Sequence, residues 1–185
     1  MRATRRALGP SARKRAAVNL AKALNRHRRF KRATRIGVFF ANDGEMALTH
    51  LVRLAWRQKK SCFLPLVCGN HARRMRFAPY RVKSPLRRNR FGIPEPLAGI
   101  AGTVSARELD LVLVPLVAFD SSGNRVGMGG GFYDRTFAFM HRRGFLRKPF
   151  LMGVGYEFQR VGEIEAQRWD VALHGVCTER GVELF

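Results

Sequence analysis

The segment that most narrows the fold is Leu111-Val112-Leu113-Val114, followed by Pro115. It is a continuous apolar run, too short for a buried helix and rich in β-branched residues, so it is predicted to be a central strand covered on both faces. The apolar stretch continues to Phe119 with a proline inside it. That is the longest apolar run in the chain, far short of the ~18–20 residues that span a bilayer, and no membrane partner is expected. Other periodic segments surround this strand. Pro10 to about His27 repeats apolar Ala16, Ala17, Leu20 and Leu24 at helical spacing after a Gly9-Pro10-Ser11 start signal. Met46 to Trp56 and Tyr133 to about Arg142 are predicted helices as well. Ile36–Phe40, Cys62–Val67, Met75–Phe77, Phe150–Val154 and Val171–Cys177 are predicted strands, and Asn42-Asp43-Gly44 a turn. Strands alternating with helices define an α/β protein, with helices on both faces of one sheet. No repeat or linker divides the chain, so residues 1–185 are expected to form one domain.

Composition adds one unusual property. Hydrophobic residues at 46% and charged residues at 26% are ordinary for a globular protein, but the net charge is +22. Thirteen Lys and Arg lie in the first 35 residues, the first acid is Asp43, and a second acid-free basic stretch runs from Arg73 to Arg90. Nucleic acid, an anionic membrane surface and small polyanions are the partners such charge favours; an arginine-rich solvated surface is the plain alternative. Cys62, Cys68 and Cys177 are odd in number with no CxxC pair. Neither a disulfide framework nor a zinc site is expected, and a reducing cytoplasm is the expected location. The acid-free N-terminus shares the composition of a mitochondrial transit peptide.

The chemistry concentrates beyond the central strand, in Ala118-Phe119-Asp120, Gly123-x-Arg125-x-Gly127-Met128-Gly129-Gly130-Gly131 and Phe132-Tyr133-Asp134-Arg135. Ligands of open α/β sheets bind beyond the carboxyl ends of strands. Glycines there let backbone N–H groups approach phosphate oxygens, ahead of a helix N-terminus. The cluster is neither a dinucleotide fingerprint, since Phe132 stands where the last glycine is needed, nor a P-loop, since no GxxxxGK[ST] occurs. Asp134 has two open uses. It could hold magnesium between itself and bound phosphates, or it could cap the helix or pair with Arg135.

This signature, from Val114-Pro115 through Asp134-Arg135, resembles that of the 5-formyltetrahydrofolate cyclo-ligase family. Arg2-x-x-Arg5-Arg6, Asp43-Gly44-Glu45, Phe63-Leu64-Pro65, Gly92-Ile93-Pro94-Glu95-Pro96 and Trp169-Asp170 follow the family's order and spacing, so the resemblance runs from Arg2 to about Glu179. That leaves no room for a removable leader. It implies a three-layer α/β/α sandwich around a mixed, largely parallel sheet. It also implies ATP- and Mg2+-dependent conversion of 5-formyltetrahydrofolate, possibly polyglutamylated, to 5,10-methenyltetrahydrofolate by a monomeric enzyme. By position, the resemblance makes Arg2, Arg5 and Arg6, with Arg125, Gly127, Met128, Gly129, Gly130, Gly131, Phe132 and Tyr133, the ATP-binding residues. Arg6, Glu45 and Met128 to Phe132 would contact the folate, and Asp134 and Asp170 would hold magnesium. Arg125, Asp134 and Arg135 are the residues expected to carry catalysis.

Departures from the family pattern fall at Arg2 and Arg5, at Ala47 and Leu48 beside the expected pterin contact, at Met128 and Gly130, and at His174, to which no role is given. Those at Ala47 and Leu48 leave room for a different acceptor. The alternative function is a basic nucleic-acid-binding α/β domain using the N-terminal arm and Arg73 to Arg90. No recognised binding motif accompanies that charge, and Phe77, Tyr80 and Phe91 are too few for a stacking platform. No nucleic-acid partner is therefore expected.

Overall fold

The computed structural model describes residues 1–67, 74–90, 92–97, 102–142 and 148–185. Cys68, Arg73, Phe91 and parts of the Gly69–Gly102 excursion lie outside these residues. Five parallel strands form the middle of a seven-stranded sheet: β1 (Arg35–Gly37), β2 (Ser61–Leu66), β6 (Leu111–Pro115), β9 (Phe150–Val154) and β10 (Gly175–Thr178). Antiparallel β3 (Arg76–Tyr80) and β11 (Gly181–Leu184) close the edges, giving the order β11-β10-β9-β6-β1-β2-β3. The sheet is thus mixed and largely parallel, as expected.

The apolar run of β6 alternates between two cores, as a strand covered on both faces must. Leu111 and Leu113 join Cys62, Leu64, Met152 and Cys177 beneath α2 (Pro10–Arg26), α3 (Arg28–Arg32) and α4 (Thr49–Arg57). Val112 and Val114 face Phe63, Leu151 and Val176 on the opposite side. That side is covered by Phe137 of α5 (Phe132–Phe137), Leu109, Val171 and Leu173. Leu20 and Leu24 of α2 and Leu51 of α4 are buried, as the helical periodicity predicts.

Several boundaries differ from expectation. The strand over Ile36–Phe40 ends at Gly37, and Phe39 and Phe40 continue as ligand-facing chain. Val171–Cys177 is a strand only from Gly175, because Val171 and Leu173 are buried as loop residues. The predicted helix over Tyr133–Arg142 is α-helical to Phe137 and 3-10 from Ala138 to Arg142. β3 runs on to Tyr80 through Pro79, which an edge strand tolerates since one side of its backbone needs no partner. A helix α1 (Arg2–Ala7) with no apolar stripe was not expected. It is held by polar bonds, with Arg13 donating to the carbonyls of Arg5 and Arg6 at 3.3 and 2.6 Å.

Asp110 ties the starts of β1 and β6 together. It accepts from the N–H groups of Thr34 and Arg35 and the Thr34 hydroxyl at 2.8–2.9 Å, and it pairs with Lys148. Burial alone would raise its carboxyl, but these donors outweigh it and hold the carboxyl well below the usual range. A carboxyl lowered in the folded state stabilises above the unfolded value of about 3.9, and that contribution is lost as pH falls towards the folded value. Asp110→Asn should therefore lose about 1–2 kcal/mol at pH 7 and little at pH 2. Thermal melts of both proteins across that range measure the convergence.

Candidate active site

After β1 the chain crosses through α4 to β2 on one side, whereas β6 lies on the other side of β1 and leads away to β9. This reversal of direction opens a crevice at the carboxyl ends of β1 and β6, where ligands of open α/β sheets bind. A pocket of about 370 Å³ occupies it. Phe39 and Phe40 follow β1, Leu64, Pro65 and Val67 come from β2, and Pro115 and Leu116 end β6. Met75, Asn89, Ile93 and Pro94 close it from the excursion, through the hairpin of β4 (Leu86–Arg88) and β5 (Pro94–Pro96). Sequence reading gave these wall residues no role, although Leu64, Pro65, Ile93 and Pro94 belong to stretches that follow the family's order; the loop-rich composition of the excursion hinted that it served binding.

The glycine segment forms the opposite wall. A hairpin of β7 (Ala118–Phe119) and β8 (Arg125–Val126) is fixed by buried Asp120. The Asp120 carboxylate accepts from the backbone of Ser122, Asn124 and Ile164 and from the Asn124 side chain, at 2.9–3.0 Å. Gly129 (φ +83°) and Gly131 (φ +58°) adopt left-handed backbone, which glycine favours. A Cβ added at Gly127 or Gly129 would meet nothing within 4 Å, so the loop presents bare backbone to open space.

Arg125 leaves β8 and pairs with Asp134, Nη2 to Oδ1 at 2.6 Å, with the guanidinium side chain 6% exposed and the carboxylate 24%. Val171 braces the pair: its carbonyl accepts from Arg125 Nη1, and its N–H donates to the same Asp134 oxygen at 3.2 Å. Among the described residues, the other oxygen of Asp134 accepts no hydrogen bond. The partner of Asp134 is thus Arg125 and not Arg135, and its side chain is no helix cap. Arg135 donates to the Gly130 carbonyl at 2.6 Å and lies over the Phe132 ring.

Also in the pocket lining, Asn42 N–H donates to Glu45 Oε2 at 3.0 Å. Burial raises the Glu45 carboxyl, against the pull of that bond and of Arg5. Burial, and then the Glu45 charge, push the Tyr133 hydroxyl upward, so the two groups sense each other within one pocket.

The structure brings Glu45, Arg125, Gly127, Met128, Gly130, Gly131, Phe132, Tyr133 and Asp134 together in the pocket lining. Gly129 sits on the same loop, outside the lining. Arg2, Arg5 and Arg6 converge on Asp43 instead, at 2.7, 3.2 and 3.6 Å. Arg2 and Arg6 are half exposed, whereas Arg5 is 1% exposed. Arg5 donates to the Asp43 carbonyl at 2.9 Å and the Leu116 carbonyl at 3.1 Å. Arg5, expected among the ATP-binding residues, forms a buried tie between α1, the Asn42–Glu45 turn and the end of β6. Gln159, unnoticed in the sequence, completes that joint by donating to the carbonyls of Leu116 and Val117 at 2.9 Å each.

Asp170 precedes Val171, whose N–H donates to Asp134, so the two residues expected to hold magnesium lie on neighbouring chain segments. Asp170 itself accepts from Gln167 N–H at 2.8 Å. Among the described residues no group of three or more His, Cys, Asp or Glu gathers to hold a metal. The Asp134 carboxylate beside the glycine loop nevertheless fits magnesium, which binds few protein ligands and completes its shell with water and phosphate oxygens.

Fold and site together define a doubly wound α/β protein whose switch-point pocket is lined by aromatic rings, the Glu45 carboxylate, an arginine–aspartate pair and glycine backbone. Residues 1–179 match the 5-formyltetrahydrofolate cyclo-ligase family, and the chain belongs to it. It is 36% identical over 146 residues to a 5-formyltetrahydrofolate cyclo-ligase of Haemophilus influenzae, covering 79% of this chain and 76% of that one. A namesake in Escherichia coli strain K12 is 35% identical over 143 residues, covering 77% and 76%. An NMR structure of Aquifex aeolicus 5,10-methenyltetrahydrofolate synthetase superposes with a TM-score of 0.81 at 28% identity, covering 99% of this chain and 88% of that one. Membership places the protein among the ligases of folate-dependent one-carbon metabolism.

Proposed function

We propose that this protein converts 5-formyltetrahydrofolate to 5,10-methenyltetrahydrofolate with consumption of ATP and release of ADP and phosphate. The observation that carries the reading is the joining, in one pocket, of Glu45 and Tyr133 with Arg125, Asp134 and the glycine loop. A pterin has a flat apolar face and an N–H edge, which suit the aromatic walls and Glu45. A triphosphate suits Arg125 and the bare backbone at Gly127 and Gly129.

In this reaction the formyl oxygen takes up the γ-phosphoryl group of ATP, because an amide oxygen is otherwise a poor leaving group. N10 then attacks the formyl carbon, and loss of phosphate and the N10 proton leaves the methenyl bridge. The protein needs no nucleophile of its own, since both attacking atoms belong to the substrate. Its work is to hold the reactants in line and to offset phosphate charge. Asp134, with Asp170, would hold magnesium, whose charge would neutralise the transferring phosphoryl group. Arg125 is the cation placed to follow that charge.

Appearance of methenyltetrahydrofolate absorbance on mixing protein, 5-formyltetrahydrofolate, ATP and magnesium tests the proposal; a folded protein giving no product would overturn it. Glu45→Gln is expected to raise the KM for 5-formyltetrahydrofolate about tenfold, the worth of one hydrogen bond to a charged group, with the KM for ATP unchanged. Initial rates with each substrate varied in turn separate the two effects.

A further inference from the structure

We propose that the pole of the molecule opposite the pocket binds nucleic acid through its phosphate backbone, without reading sequence. Parallel strands begin on one edge of the sheet and end on the other, and the pocket takes the end edge. The segments feeding the starting edge are basic. Arg26 to Arg35 carries six Lys and Arg, Arg57 to Lys60 carries three, and Arg107 and Lys148 stand ahead of β6 and β9. Hydrogen bonds fasten these segments into one surface. Gln58 donates to Asn25 at 2.7 Å, and Lys60 donates to the carbonyls of Lys31 and Ala33 at 2.9 and 2.7 Å. Asp110 joins the start of β1 to Lys148.

Among the described residues of these segments the acids are Glu108 and Asp110, and both are already paired, with Arg35 and Lys148. Arg26, Arg28, Lys31, Arg32, Arg57 and Lys59 are exposed, and among the described residues none meets a carboxylate. Cations at helix C-termini stabilise the helix, which accounts for Arg26, Arg57 and, at the end of the short α3, Lys31 and Arg32, but for neither Arg28 nor Lys59. Nor does the cluster steer substrate into the pocket. The five-residue β6 separates the two edges by roughly 17 Å, about twice the screening length of physiological salt.

Phosphodiester is the polyanion this surface fits. Four of the six free cations are arginines, whose planar fork matches phosphate oxygens. Among the described residues, the exposed large hydrophobics near this edge are Val82, just past the end of β3, and Leu184, opposite the first residue of β10; they stand at separate strands and form no continuous apolar face to enter a bilayer. The absence of a binding motif in the sequence is consistent with contact by charge alone, which requires no base-reading element.

Fluorescence anisotropy with a labelled 20-base-pair RNA duplex, and a DNA duplex of equal length, tests the proposal at 50 to 300 mM KCl. Micromolar binding is expected at 100 mM salt, weakening with a log–log slope of about −4 or steeper. A variant combining Arg26→Gln, Arg28→Gln, Arg57→Gln and Lys59→Gln should bind at least tenfold more weakly with a shallower slope. Its melting temperature and cyclisation rate should stay near those of the parent. Arg88→Gln, in the hairpin that closes the pocket, should leave duplex binding unchanged. No binding at 50 mM salt, or equal binding by the four-site variant, would overturn the proposal. Preference for anionic phosphatidylserine vesicles over both duplexes would overturn it in favour of a membrane surface. These readouts do not depend on turnover, so their failure is distinct from failure of the cyclo-ligase reading.

Discussion

Replacing Asp134 with Asn should lower turnover by about a hundredfold or more while the protein melts within a few degrees of the parent. An electrostatic stabiliser of developing charge is commonly worth about 10²–10³ in rate. Asn keeps an oxygen where Arg125 and the Val171 N–H find Oδ1, so the local bonds persist. What disappears is the negative charge that would link a cation to phosphate and orient Arg125 against it. Steady-state rates across a magnesium titration, alongside circular dichroism, give the comparison. Near-parental activity at limiting magnesium would reduce Asp134 to a brace for the glycine loop.

Arg5→Met is expected to have the largest effect on stability, about 3 kcal/mol, or a fall of roughly 6–12 °C in melting temperature. Removing one member of a buried pair leaves the other charge and several acceptors without partners. Here the orphans are the carbonyls of Asp43 and Leu116, while Arg2 and Arg6 still offset the Asp43 carboxylate. Because Arg5 faces the protein and not the pocket, the KM for ATP should change less than it does in Arg6→Ala. The reverse ranking, with unchanged melting, would show that Arg5 reaches the nucleotide.

The fold was largely legible because its signals are local. The apolar run of β6 could be satisfied only between two layers, and the periodicity of α2 and α4 assigned the helices that supply one of them. Boundaries failed where burial and secondary structure part company. Val171 and Leu173 are buried yet not in a strand, and Phe39 and Phe40 read as strand but line a pocket. Helix α1 could not be read, since Arg5 and Arg13 hold it through bonds to carbonyls that have no sequence pattern.

The candidate site was legible in part. The glycine loop and Asp134 were visible as a motif, but the partner of Asp134 was not. Arg125 lies nine positions away on a hairpin, and the intervening turn, pinned by Asp120, is what sets the two side chains 2.6 Å apart. The N-terminal arginines looked alike in one dimension, whereas folding buried Arg5 and left Arg2 and Arg6 outside.

By itself, then, the sequence determined the α/β class, the central strand and the chemical character of the glycine segment. Each follows from side-chain periodicity or backbone freedom over a few neighbouring residues. Only the tertiary structure decided which loops meet at the carboxyl edge and which cations gather at the opposite one. Both depend on strand order, and strand order is settled by which distant faces bury one another.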